Sequence, residues 1–327
     1  KDNSGQPQGY FGLEGYYDRQ LQGRSGQVIQ ETDAQGNPIL VGRYQNINSR
    51  NGRDLVTTIN RSFQYQVEKL LKRGLKKYGA KQGTVLIMNS KTGEILSMAT
   101  LPTYDPRIFY QYDQSLYKNP AVANLFEPGS IFKPLVMAAA LDAGKIKPDT
   151  KCDICSQPIR IGKYTIKTWN EEYHPNTTMT ETIVNSDNTG MVFVARKLGA
   201  EDLHQYLQKY GFGSKTGVDL QEEVDGKLSD ADDMGQIEIA TTSFGQGIAV
   251  TRIQLITAIN ALANDGKMVS PLIVQSIKTA NDQVSVTKSQ SKQVISKKAS
   301  EQIKEMMVAA VEDGEAKWAK PENIKIA

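Results

Sequence analysis

Phe126-Glu127-Pro128-Gly129-Ser130-Ile131-Phe132-Lys133-Pro134-Leu135-Val136-Met137-Ala138-Ala139-Ala140-Leu141 reads as a loop that stops at the start of a buried helix. Leu135, Val136, Ala139 and Ala140 continue on a helical period, and the apolar run from 135 to 141 implies a helix covered on most sides. Pro134 suits the opening turn, where backbone N–H groups have no partner to lose. Ser130 then falls in the first turn, where free N–H groups and the positive end of the helix dipole favour developing negative charge. Lys133, three residues on, shares its face. Burial penalises an ammonium ion, so Lys133 can stay neutral and accept the proton of a serine hydroxyl that is otherwise inert at neutral pH.

Further along lies Val184-Asn185-Ser186-Asp187-Asn188-Thr189-Gly190-Met191. Ser-Asp-Asn by itself suits a turn or a helix cap, and Ser-x-x-Lys by itself recurs by chance. In this order and with these flanks, the two describe one acyl-transfer centre. On these residues the chain resembles the transpeptidase region of class B penicillin-binding proteins, the D-Ala-D-Ala transpeptidases of cell-wall synthesis. Gly93-Glu94-Ile95-Leu96-Ser97-Met98-Ala99, Pro102-Thr103-Tyr104-Asp105-Pro106 and Ser243-Phe244-Gly245-Gln246-Gly247 follow in the family's order and extend the resemblance over residues 55–327.

The resemblance implies an α+β fold: an antiparallel sheet beginning with a hairpin over residues 84–99, covered by helices, plus an all-helical lobe carrying Ser130 and Ser186. It implies Ser130 as the acylated nucleophile and Lys133 as its base. Ser186 would relay a proton to the departing amine, and Asn188 would bind the substrate's peptide carbonyl and help fix Lys133. No role is assigned to Asp187. The expected reaction is attack on a peptidoglycan stem peptide with loss of D-Ala, then capture of the ester by a neighbouring stem's amine; β-lactams would acylate the same serine. No cofactor is expected. Expected partners are a membrane-embedded glycosyltransferase and other wall-assembly proteins. The same three groups would also serve a D,D-carboxypeptidase or a β-lactamase-type hydrolase, although the Glu-x-x-Leu-Asn element of class A β-lactamases has no match in Leu220-Gln221-Glu222-Glu223. A non-catalytic β-lactam sensor or cell-wall scaffold is the third reading.

The family's third element, a Lys-Thr-Gly that clamps the substrate carboxylate and supplies part of the oxyanion hole, has no evident counterpart. Lys91-Thr92-Gly93 sits between strand-like runs as a hairpin turn, and Lys215-Thr216-Gly217 follows a glycine-rich connection. Ile303, Met306, Met307, Ala310 and Val311 predict a helix that ends at Asp313-Gly314, and the segment from Trp318 to Ala327 leads to the place where the missing triplet would stand. The expectation is a transpeptidase domain cut before its last catalytic strand, with the carboxylate clamp absent, little or no turnover, and an exposed strand edge where that strand would pair. Lys1 is not an initiator methionine and no window nears the ~20 apolar residues that span a bilayer, so the expectation is an internal segment with an upstream anchor, working on the extracytoplasmic face of the membrane.

Composition bounds the rest. Across 327 residues the net charge is +3 from 39 Lys and Arg against 36 Asp and Glu, too balanced to point to nucleic acid. Residues 1–54 are rich in Gly, Gln, Asn and Arg and resemble the pedestal and linker that precede the family's catalytic domain, with the boundary near Arg53-Asp54-Leu55. Phe63, Val67, Leu70, Leu71 and Leu75 predict one apolar helix face, with Glu68, Lys69, Lys72, Arg73 and Lys76 toward water. Cys152-Asp153-Ile154-Cys155 lacks the second ligand pair of a zinc site and the context of a thioredoxin-type motif, which leaves a small local disulfide or two free thiols, the disulfide being favoured in an extracytoplasmic loop. His174 reads as a loop residue and His204 as exposed. Arg252, where relatives commonly have proline, is expected to alter only a helix start.

Overall fold

The computed structural model describes residues 8–279, 284–314 and 316–327. Residues 1–7, the first part of the expected N-terminal segment, lie outside them. Helices α1 (Gly12–Tyr16) and α2 (Asp18–Leu21) lead to an antiparallel hairpin, β1 (Gln27–Gln30) with β2 (Tyr44–Ile47), and to strand β3 (Asp54–Thr57). Every residue of β1 and β2 is exposed, as a stretch poor in aliphatic residues dictates. The helical start of the chain is anchored by Tyr17, whose buried hydroxyl donates to Asp219 at 2.9 Å while the same carboxylate accepts the backbone N–H groups of Ile273 and Val274. Burial, and then the Asp219 charge, push the Tyr17 phenol well above its ordinary pKa.

Helix α3 (Arg61–Tyr78) starts under the Asn60 side chain, which accepts from the N–H groups of Ser62 and Phe63, and ends at Gly79 in a left-handed conformation. It lies along the antiparallel hairpin of β4 (Gly83–Met88) and β5 (Ile95–Leu101), whose turn is Lys91-Thr92-Gly93. The apolar face of α3 is narrower than its periodicity predicts. Val67 is buried and Leu71 and Leu75 partly so, but Phe63 and Leu70 remain 48% and 60% exposed. A hairpin of two strands supports only one strip of a helix, so residues on the flank of the apolar stripe stay in water.

After the short helix α4 (Pro120–Ala123), a 3₁₀ turn (Gly129–Phe132) runs straight into α5 (Lys133–Asp142), with Pro134 in its first turn. Residues 135–141 are all buried, so this helix is the axis of the main core. Strands β6 (Ile159–Ile161) and β7 (Tyr164–Ile166) form a hairpin, followed by α6 (Met179–Val184), α7 (Asn188–Leu198), α8 (Ala200–Lys209), α9 (Gln236–Ser243) and α10 (Arg252–Ala263). Helices α7 and α8 pack on α5, with α9 behind α7, to make the helical lobe. The chain closes with β8 (Lys267–Val269), β9 (Val274–Lys278), β10 (Val284–Val286), β11 (Ser291–Gln293) and α11 (Lys297–Glu312). Strand β9 is the middle of an antiparallel sheet with β3 and β10, and β8 pairs with β11. A smaller core of Ile95, Val122, Val218, Ile253 and Ile273 lies beneath the β4–β5 hairpin. The architecture is α+β, antiparallel sheet segments flanked by helices plus a helical lobe.

Two local readings need correction. Arg252 does more than start α10, which Thr251 and Gln254 already cap reciprocally. Its guanidinium donates to the carbonyls of Pro120 and Asn124 at 3.0 and 3.4 Å and lies 4.9 Å from the Phe126 ring centre, tying α10 to the segment that leads into Ser130. His204 is half-buried rather than exposed, with Nδ1 2.9 Å from the Ser229 carbonyl.

Candidate active site

Ser130 and Lys133 occupy the junction between the 3₁₀ turn and α5, where residues three apart project to one side. The turn is held from behind by a glycine contact. Gly129 donates its N–H to the Gly245 carbonyl at 2.9 Å, and a Cβ on Gly245, whose φ is +78°, would stand 2.2 Å from the Gly129 carbonyl oxygen. Glu127 accepts the N–H of Gly247 at 2.9 Å. Ser243-Phe244-Gly245-Gln246-Gly247 is therefore the seat of the serine's loop, which only a residue without a side chain permits.

Ser186 is presented by the turn between α6 and α7. Its φ of +49° is left-handed, a conformation uncommon outside glycine, asparagine and aspartate. In this conformation both oxygens of Ser186 meet Lys133: Nζ donates to the Ser186 carbonyl at 2.5 Å and lies 3.0 Å from Oγ. Lys133 is only 2% exposed, and desolvation brings its pKa down to about 8 against the upward pull of the Asp187 charge. Ser130, Lys133 and Ser186 line one cavity of about 170 Å³, with Pro134, Ile183, Met307, Ala310, Val311, Ala316 and Ala327 as its remaining wall. The chemical meaning is direct: a lysine that loses its proton near neutral pH shares a small, largely apolar space with two hydroxyls.

Asp187, given no role by the sequence, is 2% exposed and caps α7. One oxygen accepts from Thr189 N, Thr189 Oγ1 and Gly190 N at 2.6, 2.7 and 3.2 Å; the other makes no hydrogen bond. An aspartate directly before a helical run is an N-cap signal that the sequence does carry. The support from Gly245 depends on a contact across more than a hundred residues and left no local trace.

Asn188 stands apart from its expected partner. Its amide donates to the Lys167 carbonyl at 2.9 Å and not to Lys133, whose hydrogen bonds go to Ser186 instead. As the first residue of α7, Asn188 ties that helix to the segment after β7, where Trp169 is 65% exposed. Lys215-Thr216-Gly217 lies outside the cavity wall, and Glu223 accepts Thr216 N, Thr216 Oγ1 and Gly217 N. Cys152 and Cys155 are bonded as a disulfide, fully buried and also outside that wall. Among the described residues no group of three His, Cys, Asp or Glu side chains could hold a metal ion.

Known proteins share this arrangement. Residues 83–327 match the model of the penicillin binding protein transpeptidase domain, and residues 1–57 match that of the penicillin-binding protein dimerisation domain. Stage V sporulation protein D of Bacillus subtilis is 34% identical over 326 residues, covering 98% of this chain and 50% of that protein. Penicillin-binding protein PbpB of Mycolicibacterium smegmatis is 32% identical over 82% of this chain and 41% of its own length. The chain spans about half the length of the curated relatives it matches. Among solved structures, penicillin binding protein 3 of Mycobacterium tuberculosis in its apo form superposes with a TM-score of 0.83 at 27% identity, over 95% of this chain and 66% of that one; its ampicillin complex gives 0.82. A buried lysine held against a serine beside the Ser130 turn, and a family model covering most of the sequence, lead to one conclusion: this chain belongs to the penicillin-binding protein transpeptidase family.

Proposed function

We propose that the chain carries the acyl-transfer centre of a peptidoglycan D,D-transpeptidase, with Ser130 as nucleophile and Lys133 as base. The observation that supports this most directly is the cluster itself: Lys133 Nζ, depressed to a pKa of about 8, bonded to Ser186 and lining one cavity with Ser130. In the proposed cycle neutral Lys133 takes the Ser130 proton while Oγ attacks the carbonyl of a D-Ala-D-Ala amide. Ser186, sharing a hydrogen bond with Lys133, passes a proton to the departing D-Ala amine. The ester on Ser130 is then opened by the amine of a neighbouring stem peptide, which restores the hydroxyl. A β-lactam follows the first half of this path and remains on Ser130. Asn188, at the mouth of the same turn, is assigned to the substrate's peptide carbonyl.

The reading extends to setting. The work would be done on the extracytoplasmic face of the membrane beside a glycan-polymerising glycosyltransferase, with residues 1–54 as the connection to a pedestal and 55–327 as the transpeptidase domain. Among the described residues no Lys-Thr-Gly lines the cavity, and loss of one oxyanion donor alone costs about 10²–10³ in rate. The chain of 327 residues as it stands should therefore be acylated slowly and turn over little. Labelling with a fluorescent penicillin tests both parts. Slow incorporation that disappears in Ser130→Ala is expected. Label retained in Ser130→Ala would overturn the choice of nucleophile, and rapid stoichiometric labelling would overturn the expectation of low activity.

A further inference from the structure

Helix α3 carries a second surface that the acyl-transfer chemistry does not use. Its 18 residues include Arg61, Lys69, Lys72, Arg73, Lys76 and Lys77 against a single carboxylate, Glu68, for a net +5. With +3 over the whole chain, the remainder is net −2, so the positive charge is concentrated on this one element. All six cations are exposed, and among the described residues none is in an ion pair. Strands β4 and β5, on which the helix rests, contain no charged residue, so nothing beneath offsets the field.

The face has a definite geometry. Val67, Leu71 and Leu75 point to the hairpin; Tyr65, Lys69, Lys72 and Lys76, spaced four, three and four residues apart, form the opposite row. Arg73 and Lys77 flank that row, and beyond them come the exposed Phe63 and Leu70, two turns apart on one line. Tyr65 is 63% exposed within the cationic row itself. Cations interleaved with outward aromatic and aliphatic side chains on a helix about 27 Å long match an interfacial helix at an anionic membrane. A soluble polyanion would satisfy the cations but offer nothing to Phe63 and Leu70.

We propose that α3 is a peripheral docking surface for an anionic phospholipid bilayer, with the Lys and Arg side chains among the headgroups and Phe63, Tyr65 and Leu70 at the headgroup boundary. The proposal is independent of the serine chemistry and is read without it. The test is co-sedimentation of the purified chain with phosphatidylcholine vesicles with and without phosphatidylglycerol, at low and raised salt. Binding only to the phosphatidylglycerol vesicles, weakened by salt, is expected. Lys69→Gln, Lys72→Gln, Arg73→Gln and Lys76→Gln combined should lower it on the order of a hundredfold, at about fivefold per cation, with helix content and thermal midpoint unchanged. Phe63→Ser with Leu70→Ser, which keeps every charge, should lower it at least severalfold. No binding to phosphatidylglycerol vesicles, or equal binding by the four-glutamine variant, overturns the proposal. Binding to a soluble polyanion such as heparin that matches vesicle binding and ignores the Phe63 and Leu70 changes also overturns it, in favour of a polyanion site.

Discussion

The two sides of this molecule treat similar sequence patterns in opposite ways. In the helical lobe, α5 is wrapped by α7, α8 and α11, so Leu135 and even Lys133 lose nearly all contact with water. On the hairpin side, α3 rests on two strands and leaves Phe63 and Leu70 half or more exposed. Enclosure differs, and enclosure decides what a side chain becomes. In the lobe it makes a lysine into a base; on the hairpin side it leaves lysines as charged surface.

Lys133→Met gives the sharpest contrast. It should lower the rate of penicillin acylation by about 10²–10⁴, measured as label incorporation over time, while leaving thermal stability unchanged or raised because no ion is buried. A stable variant that still acylates at the parent rate would break the assignment of Lys133 as base. Leu135→Ala, in the fully buried stripe of α5, should cost about 2–5 kcal/mol in denaturant unfolding.

pH separates the two sides as well. With Lys133 at about 8, acylation should fall about tenfold per pH unit below that value and level off above it. The same shift bears on stability. Between about 8 and the ordinary lysine value of 10.5 the folded state has released this proton and the unfolded state still holds it, so the Lys133 contribution to stability rises with pH across that window. An acylation profile flat from 6 to 9 would contradict a buried base.

Asp187→Asn keeps a capping oxygen for α7 but removes the charge that opposes desolvation of Lys133. The midpoint of the acylation profile should move below 8, with a stability loss of about 1 kcal/mol or less. The smallest effect closes the comparison: Leu70→Ala, on the exposed flank of α3, should change stability by no more than about 0.5 kcal/mol. A loss equal to that of Leu135→Ala would show that the hairpin side is as enclosed as the lobe.

Much of the site was legible because its signals are local. Ser130 and Lys133 share a helix, so their common face follows from spacing alone, and Pro134 marks the first turn. The Lys91 turn and α11 followed from period and punctuation in the same way. The errors were of another kind. The width of α3's buried face depended on how many strands lie beneath it. The Arg252 clamp and the Asn188 bond to Lys167 depended on partners 132 and 21 residues away.

By itself the sequence determined which residues could do chemistry, a hydroxyl and an amine three apart at a helix start and a second hydroxyl in a Ser-Asp-Asn turn, because helical periodicity is a property of neighbours along the chain. The tertiary structure decided that these groups meet. It set the left-handed turn that aims both Ser186 oxygens at Lys133, the glycine contact under Gly129, and the enclosure that lowers one lysine's pKa while six others on α3 remain in water. Desolvation and close approach are made by residues distant in sequence, and no local pattern records them.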